Sequence, residues 1–471
     1  MPTTKLKNNR LLNFLHSCFA WEKPFVRMVV MVALPMMLQQ LMTASLHIVD
    51  GLMVSGLGDI AYSAVTQASR VSWLFTLICF GVCTGGAIFF SQFWGAREIG
   101  RFRHAMGLSM IFAVGIAIIF VVVAEVYPHR VISLFLQEGE SFELAVKYLR
   151  IVAPSYLFIA IDNVFASAIK AGEKTYYPMI SGFVSIALNT LLNYTFIFGN
   201  FGAPALGVEG AALATAIAAF VSMCTNIFFA YSKHLPAGAR INEWFSFDRE
   251  FAKQYMKTAT PVLLNEWFWA MGILMYSVYY GRMGSVAVAA TGIVTTISDL
   301  MWVAIFALMN STAIIVGKTL GEGKTKLAYL YSKRLMAGAI LAGVIIGAFL
   351  IMLRIPLVNI FSGLSDEVRT MAQRLLLINA FALWFRAFNT INIVGVLRSG
   401  GATMYSLVLD TVALWVINVP LVGVFALVLH FPLEIVYAST MLEEAVKMAF
   451  GVPYFKSKKW IKVLTEEAIN D

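Results

Sequence analysis

Twelve stretches of the chain are long, apolar and poor in charge: 25–50, 60–90, 105–127, 146–170, 178–199, 207–231, 254–280, 287–316, 333–353, 370–396, 404–427 and 431–455. About 20 apolar residues match the ~30 Å hydrocarbon layer of a bilayer. Lipid cannot satisfy a free backbone N–H or C=O, so each stretch is expected to be a helix. Polar residues interrupt them in a repeating way. Ala33–Gly58, ALPMMLQQLMTASLHIVDGLMVSGLG, is answered by Ala259–Gly284, ATPVLLNEWFWAMGILMYSVYYGRMG. Pro35 maps to Pro261 (261 − 35 = 226) and Gly58 to Gly284 (284 − 58 = 226). Gly95 in SQFWGARE maps to Gly321 in GKTLGEGK (321 − 95 = 226). A spacing held over so many residues marks a duplicated chain.

That pattern predicts an all-α integral membrane protein of twelve transmembrane helices in two pseudo-symmetric six-helix lobes. The expected divisions are a cytoplasmic tail at 1–24, an N-lobe at 25–231, a connector at 232–252, a C-lobe at 253–455 and a cytoplasmic tail at 456–471. An even number of spans gives both halves the same insertion. Parallel repeats of this kind are expected to frame a substrate cleft near the membrane midplane.

Composition strengthens the membrane reading. Of 471 residues, 59% are hydrophobic and 13% charged, against roughly 45–50% and 25% in soluble domains. The opening MPTTKLKNNRLLNFLHSCFAWEKP is polar and basic, so no cleavable leader is expected. The net charge of +9 is read as the excess of Lys and Arg in cytoplasmic loops rather than as a nucleic-acid surface. Lys5, Lys7 and Arg10, then Arg97, Arg101 and Arg103, the run from Lys233 to Lys257, Arg398 and Lys456–Lys462 all fall at alternate span ends. Both termini are thereby placed in the cytoplasm, with a bacterial inner membrane as the expected location. Cys18, Cys79, Cys83 and Cys224 form neither a disulfide framework nor a metal motif. No phosphate loop, HExxH or nucleophile elbow is present, so an enzyme is not expected.

The first span carries Gln39, Thr43, His47 and Asp50 at i, i+4, i+8 and i+11, one polar stripe on an apolar helix. An acid in a spanning helix costs about 2.5–3.5 kcal/mol on insertion scales, which makes Asp50 a functional candidate by default. His47, three residues away, is in reach of it, and a carboxylate beside an imidazole suits proton exchange. Asn189 and Asn193 lie one turn apart on span five, and Thr215 lies on span six. Carboxylate, amide and hydroxyl oxygens would serve Na⁺ or a proton-linked network equally.

The second half has its own acids. Glu266 is about twelve residues into span seven and Asp410 about six into span eleven, a depth difference of ~9 Å, so contact between them is not assumed. Asp162, Glu444, Gln39, Met42 and Trp269 are further cavity candidates. Trp267, Phe268 and Trp269 flank Glu266, the composition a site for lipophilic cations needs. Glu443 and Lys447 are spaced for a structural ion pair.

Several segments carry a family resemblance. LNTLLNYTFIFGNFGAPALGVEGAALATAIA (Leu188–Ala218), ALPMMLQQL with VDGLMVSGLG, NSTAIIVGKTLGEGK, and LRSGGATMYSLVLDTVALWVINVP resemble helices five and six, one, eight, and ten to eleven of the multidrug and toxic compound extrusion (MATE) family. The resemblance implies a secondary active exporter, most often a monomer, that exchanges Na⁺ or H⁺ for organic, mostly cationic, small molecules by alternating access across the bilayer. No cofactor beyond the coupling ion is implied. The family often has an acid at the position aligned with Asn193, where this chain has an amide. It also uses a hydroxyl near Thr215 and, in parts, a seventh-helix acid matching Glu266. The alternative is a flippase for a lipid-linked or amphiphilic substrate on the same superfamily fold. Such a protein would line its cleft with Arg and Lys, whereas few cations fall inside these spans, Arg386 being the exception.

Overall fold

The computed structural model describes residues 21–361, 363 and 365–467, without the side chains of His47, Glu466 and Glu467. Lys5, Lys7, Arg10 and Cys18 lie outside the described residues, as does any contact of His47 with Asp50. Within them the chain is helical and has no strand. The first half holds α1 (Lys23–Ser55), α2 (Asp59–Ala96), α3 (Ile99–Val126), α4 (Glu140–Val152), α5 (Ser155–Ala171), α6 (Tyr176–Phe198) and α7 (Val208–Ser232). The second holds α8 (Arg249–Met283), α9 (Ser285–Gly321), α10 (Thr325–Asn359) and α11 (Asp366–Thr390), which continues as a π-helix through Ile391–Leu397. Then come α12 (Thr403–Thr411), a π-helical stretch Val412–Asn418, α13 (Val419–Leu427), α14 (Leu433–Ser439) and α15 (Leu442–Ser457).

Nine helical rods among the described residues are long and apolar enough to cross a membrane, and α4 with α5, bent by 48°, make a tenth. Pro154 stands at that bend, where it supplies no backbone donor. α8 and the α14–α15 pair complete the twelve expected segments. They are less apolar for a reason that matters below: α8 carries Asn265 and Glu266, and α15 carries Glu443, Glu444 and Lys447.

Contacts divide the chain into two compact units, Leu34–Ala259 and Met1–Ala33 with Thr260–Asp471. The two joints are repeat-equivalent (259 − 33 = 226) and each precedes a proline, Pro35 or Pro261. The opening turns of α1 and of α8 therefore pack in the unit built mainly from the other repeat. On α1, Phe25 packs on Tyr331 of α10 at 4.8 Å and Arg334 bonds Glu22 at 3.1 Å. On α8, Phe251 meets Phe93 of α2 at 5.9 Å, and Tyr255 stacks on Phe89 at 5.0 Å. Phe25 and Phe251 are themselves equivalent (251 − 25 = 226).

Packing inside each unit is close. In Leu34–Ala259, Phe75 lies 4.7 Å from Tyr156, whose hydroxyl bonds Ser72 at 2.9 Å. Gly107 is held against the Trp244 backbone carbonyl, where any side chain would collide. In the other unit the core runs through Tyr276, Ile293, Leu350, Leu375, Leu414 and Val422.

The seat of α8 yields a test. Tyr255 is 1% exposed and its hydroxyl bonds Ser109 at 2.8 Å, while Ser109 also donates to the Ala105 carbonyl. Tyr255→Phe should cost about 1 kcal/mol, since Ser109 keeps a partner. Tyr255→Ala empties an aromatic site and should cost about 3–5 kcal/mol. Thermal unfolding of the detergent-solubilised protein should show this order; equal midpoints would deny that the α8 start is anchored there.

Candidate functional site

The polar stripe of α1 faces α6. Gln39 packs against the backbone at Gly182, its Cγ 3.4 Å from where a Cβ there would stand, and Asp50 meets Asn193, eleven residues further along each helix (50 − 39 = 11; 193 − 182 = 11). Between them Thr43 turns its hydroxyl onto its own helix, donating to the Gln39 carbonyl at 3.0 Å. Met42 is half-buried on the same helix.

Asn193 Nδ2 donates to Asp50 Oδ1 at 2.7 Å and to Asn189 Oδ1 at 3.0 Å. Asn189 Nδ2 reaches Thr215 Oγ1 at 3.5 Å, and Thr215 donates to the Ala211 carbonyl at 3.0 Å. Asn193 and Asn189 are 1% and 3% exposed, while Asp50 is half-buried. Asn193 Oδ1 is buried without a hydrogen-bond partner. An orphaned carbonyl oxygen costs about 1–3 kcal/mol. Here it stands beside a carboxylate that, among the described side chains, is bonded by a neutral donor. Tyr148, missed by sequence reasoning, lies beside Thr215 and Ser69. Nothing in its spacing tied it to span six.

The same unit contains Asp162, on α5. Ser222 Oγ donates to its Oδ2 at 2.9 Å and Asn226 Nδ2 to its Oδ1 at 2.7 Å, both from α7.

Four acids of the other unit are paired with cations instead. Arg398 Nη1 pairs with Glu266 at 2.6 Å, and its Nη2 lies 4.0 Å from Asp410. Asn265 donates to Asp410 at 2.9 Å, and Lys447 joins Asp410 at 3.0 Å and also pairs with Glu443. Glu444 takes a bond from Asn389 at 2.9 Å and lies 3.6 Å from Arg386. Glu266 and Asp410 thus share one network, contrary to the separation in depth expected from counting residues. Asn265 and Arg398 bridge the offset that the count left open. Arg398, expected at a cytoplasmic loop, is 3% exposed: it follows the π-helical Ile391–Leu397 and packs its guanidinium on Glu266 and Asp410. Trp267, Phe268 and Trp269 are 42%, 37% and 40% exposed, whereas Glu266 is 9% exposed. The acid is turned onto an arginine.

The repeat makes the contrast sharper. Asp50 corresponds to Tyr276 (276 − 50 = 226), and Asn193 to Asn418 within one residue (418 − 193 = 225). Asn418 Nδ2 bonds the Tyr276 hydroxyl at 2.6 Å, as Asn193 bonds Asp50. The amide is kept and the acid is replaced by a phenol, which holds its proton at neutral pH. Tyr276 in turn donates to Glu443 at 3.2 Å.

Among the described residues no cluster of three His, Cys, Asp or Glu side chains has the spacing of a metal centre. Any ion at Asp50 would rest on one carboxylate with amide and hydroxyl oxygens.

Known proteins give a consistent picture. A probable multidrug resistance protein NorM from Thermotoga maritima is 24% identical over 96% of this chain and 97% of its own length. The multidrug resistance protein MdtK from Edwardsiella ictaluri is 24% identical over 84% of this chain and 86% of its own. Among solved structures, the Vibrio cholerae MATE transporter VcmN superposes with a TM-score of 0.83 at 18% identity, covering 92% of this chain and 96% of that one. A MOP superfamily transporter from Pyrococcus furiosus, whose binding pocket has reverse polarity, gives 0.82 at 19%, covering 92% and 95%. The MatE family model matches residues 35–195 and again 261–424, and those two starts are the prolines of the repeat. With both copies of the family unit present, the chain belongs to the MatE family, the multidrug and toxic compound extrusion transporters of the membrane.

Proposed function

We propose that the protein is a secondary active antiporter that expels organic, mostly cationic, small molecules in exchange for Na⁺ or H⁺, with Asp50 as the exchanging acid. One observation carries this reading: Asp50 is bonded by a neutral amide whose own carbonyl oxygen has no partner. A carboxylate inside a membrane needs a positive charge. The donor described at Asp50 is neutral, so on this reading the charge comes from solution and can leave again.

Protonating Asp50 converts one of its oxygens from acceptor to donor, and the bare Oδ1 of Asn193 is then available as acceptor. Na⁺ would instead be shared by carboxylate and amide oxygens, with Asn189 and Thr215 behind them. Either event removes the charge that an organic cation would otherwise neutralise. Exchange follows from that competition, with alternating access exposing Asp50 to each side in turn. Pro35 interrupts the backbone bonding of α1, and a bend there would alter the surroundings of Asp50 on the same helix. We place the protein in a bacterial inner membrane as a monomer with both termini cytoplasmic. On this reading it needs no cofactor beyond the coupling ion and no nucleic-acid partner.

The flippase alternative has less support. Such a site would hold a lipid pyrophosphate with free cations. Arg334, Arg386, Arg398 and Lys447 each pair with a carboxylate.

Two outcomes are expected in proteoliposomes loaded with a fluorescent lipophilic cation under an imposed Na⁺ or pH gradient. Asp50→Asn should lose gradient-driven efflux while remaining monodisperse in detergent; full efflux would refute the assignment. Glu266→Gln should act mainly on stability, because removing one partner of a buried pair costs about 3–5 kcal/mol. The double change with Arg398→Gln should restore much of that loss, read as the thermal midpoint. A Glu266→Gln protein as stable as the parent but without efflux would move the exchange site to this network.

A further inference from the structure

Asp162 stands in the setting that distinguishes Asp50 from the paired acids. It is half-buried. Its two oxygens are held by the Ser222 hydroxyl and the Asn226 amide. Ser181 of α6 stands behind, its hydroxyl 3.1 Å from Ser222 Oγ and 2.9 Å from the Ser222 carbonyl. Asn226 is 2% exposed, and its Oδ1 is buried without a hydrogen-bond partner. The motif of Asp50 and Asn193 is thereby repeated: an acid, an amide that donates to it, and an amide oxygen left bare.

Among the described residues, two other charged or titratable groups face Asp162. Lys170 lies on its own helix eight residues on, ~12 Å along the axis, and Cys83 faces it from α2. Lys170 is the described cation whose charge acts on Asp162, while the hydrogen bonds the carboxylate accepts come from neutral groups. The two acids are connected along one seam. From Thr215 to Ser222 is seven residues of α7, ~10 Å. Between them Ser185 of α6 donates to the Ala218 carbonyl at 3.0 Å.

We propose that Asp162, with Ser181, Ser222 and Asn226, is a second site that takes up a positive charge, either a proton or Na⁺, one step along the α6–α7 seam from Asp50. A bare carboxylate there is hydrogen-bonded by neutral groups alone, and the Asn226 oxygen is unsatisfied. A hard cation shared by those oxygens, or a proton with an ordered water, answers both needs. The hydroxyls of Ser181 and Ser185 donate to α7 carbonyls and can rotate, so the seam carries reorientable donors between the two acids. The inference extends the antiport reading from one acid to two.

The test uses the full-length protein in proteoliposomes treated with dicyclohexylcarbodiimide, which forms a stable acylurea with protonated carboxyls in apolar surroundings. Peptide mass spectrometry then locates the adduct. We expect adducts on the Asp50 and Asp162 peptides, the latter lost in Asp162→Asn. Suppression of the Asp162 adduct by added Na⁺ identifies Na⁺ as its ligand; suppression by raised pH alone identifies the proton. Asn226→Ala should shift the pH at which Asp162 reacts without moving that of Asp50. An adduct on Asp50 with none on Asp162 overturns the proposal and makes Lys170 its fixed counter-ion. An adduct on Asp162 alone supports the second site and counts against Asp50 as the exchanging acid; none on either removes both.

Discussion

Everything in this molecule answers to the expense of holding charge inside apolar helices. The two units meet it in different ways. In Thr260–Asp471 the acids Glu266, Asp410, Glu443 and Glu444 are closed off by Arg398, Lys447 and Arg386. Such pairs gain Coulomb energy against desolvation and often contribute little net stability. They do fix geometry, since breaking one strands a charge. In Leu34–Ala259 the acids have amides and hydroxyls instead. A duplicated framework thus closes these acids with cations in one copy and hydrogen-bonds Asp50 and Asp162 with neutral groups in the other. The replacement of Asp50 by Tyr276 at the equivalent position shows where the copies diverged.

The fold was largely legible because lipid leaves few choices. A 20-residue apolar run has to be a helix, and the constant offset of 226 between Pro35 and Pro261 exposes the duplication without any contact information. The α1 stripe was legible too, since a polar residue every turn or so has to face protein, and Gln39 and Asp50 do face α6. Local pairing could be read from spacing, as with Glu443 and Lys447 four apart.

What the sequence hid was the non-local pairing. Glu266 and Arg398 are 132 residues apart, and nothing in either neighbourhood names the other. Arg398 also looked like a loop residue, because the hydrophobic run before it ends where α-helical counting would stop. Its burial follows from the pairing with Glu266, which the local sequence does not show. The exchange of helix starts was equally invisible, since nothing in the sequence around Phe25 or Tyr255 names Tyr331 or Phe89 as its partner.

That exchange alters what it means to cut this chain. The polar connector after α7 lies wholly inside the Leu34–Ala259 unit. A nick there, between Lys233 and Asp248, would give two fragments that each own part of both units. The first would keep Phe25 seated on Tyr331, and the second would keep Tyr255 seated on Phe89. The fragments would be clasped like linked hands, each holding an aromatic finger of the other.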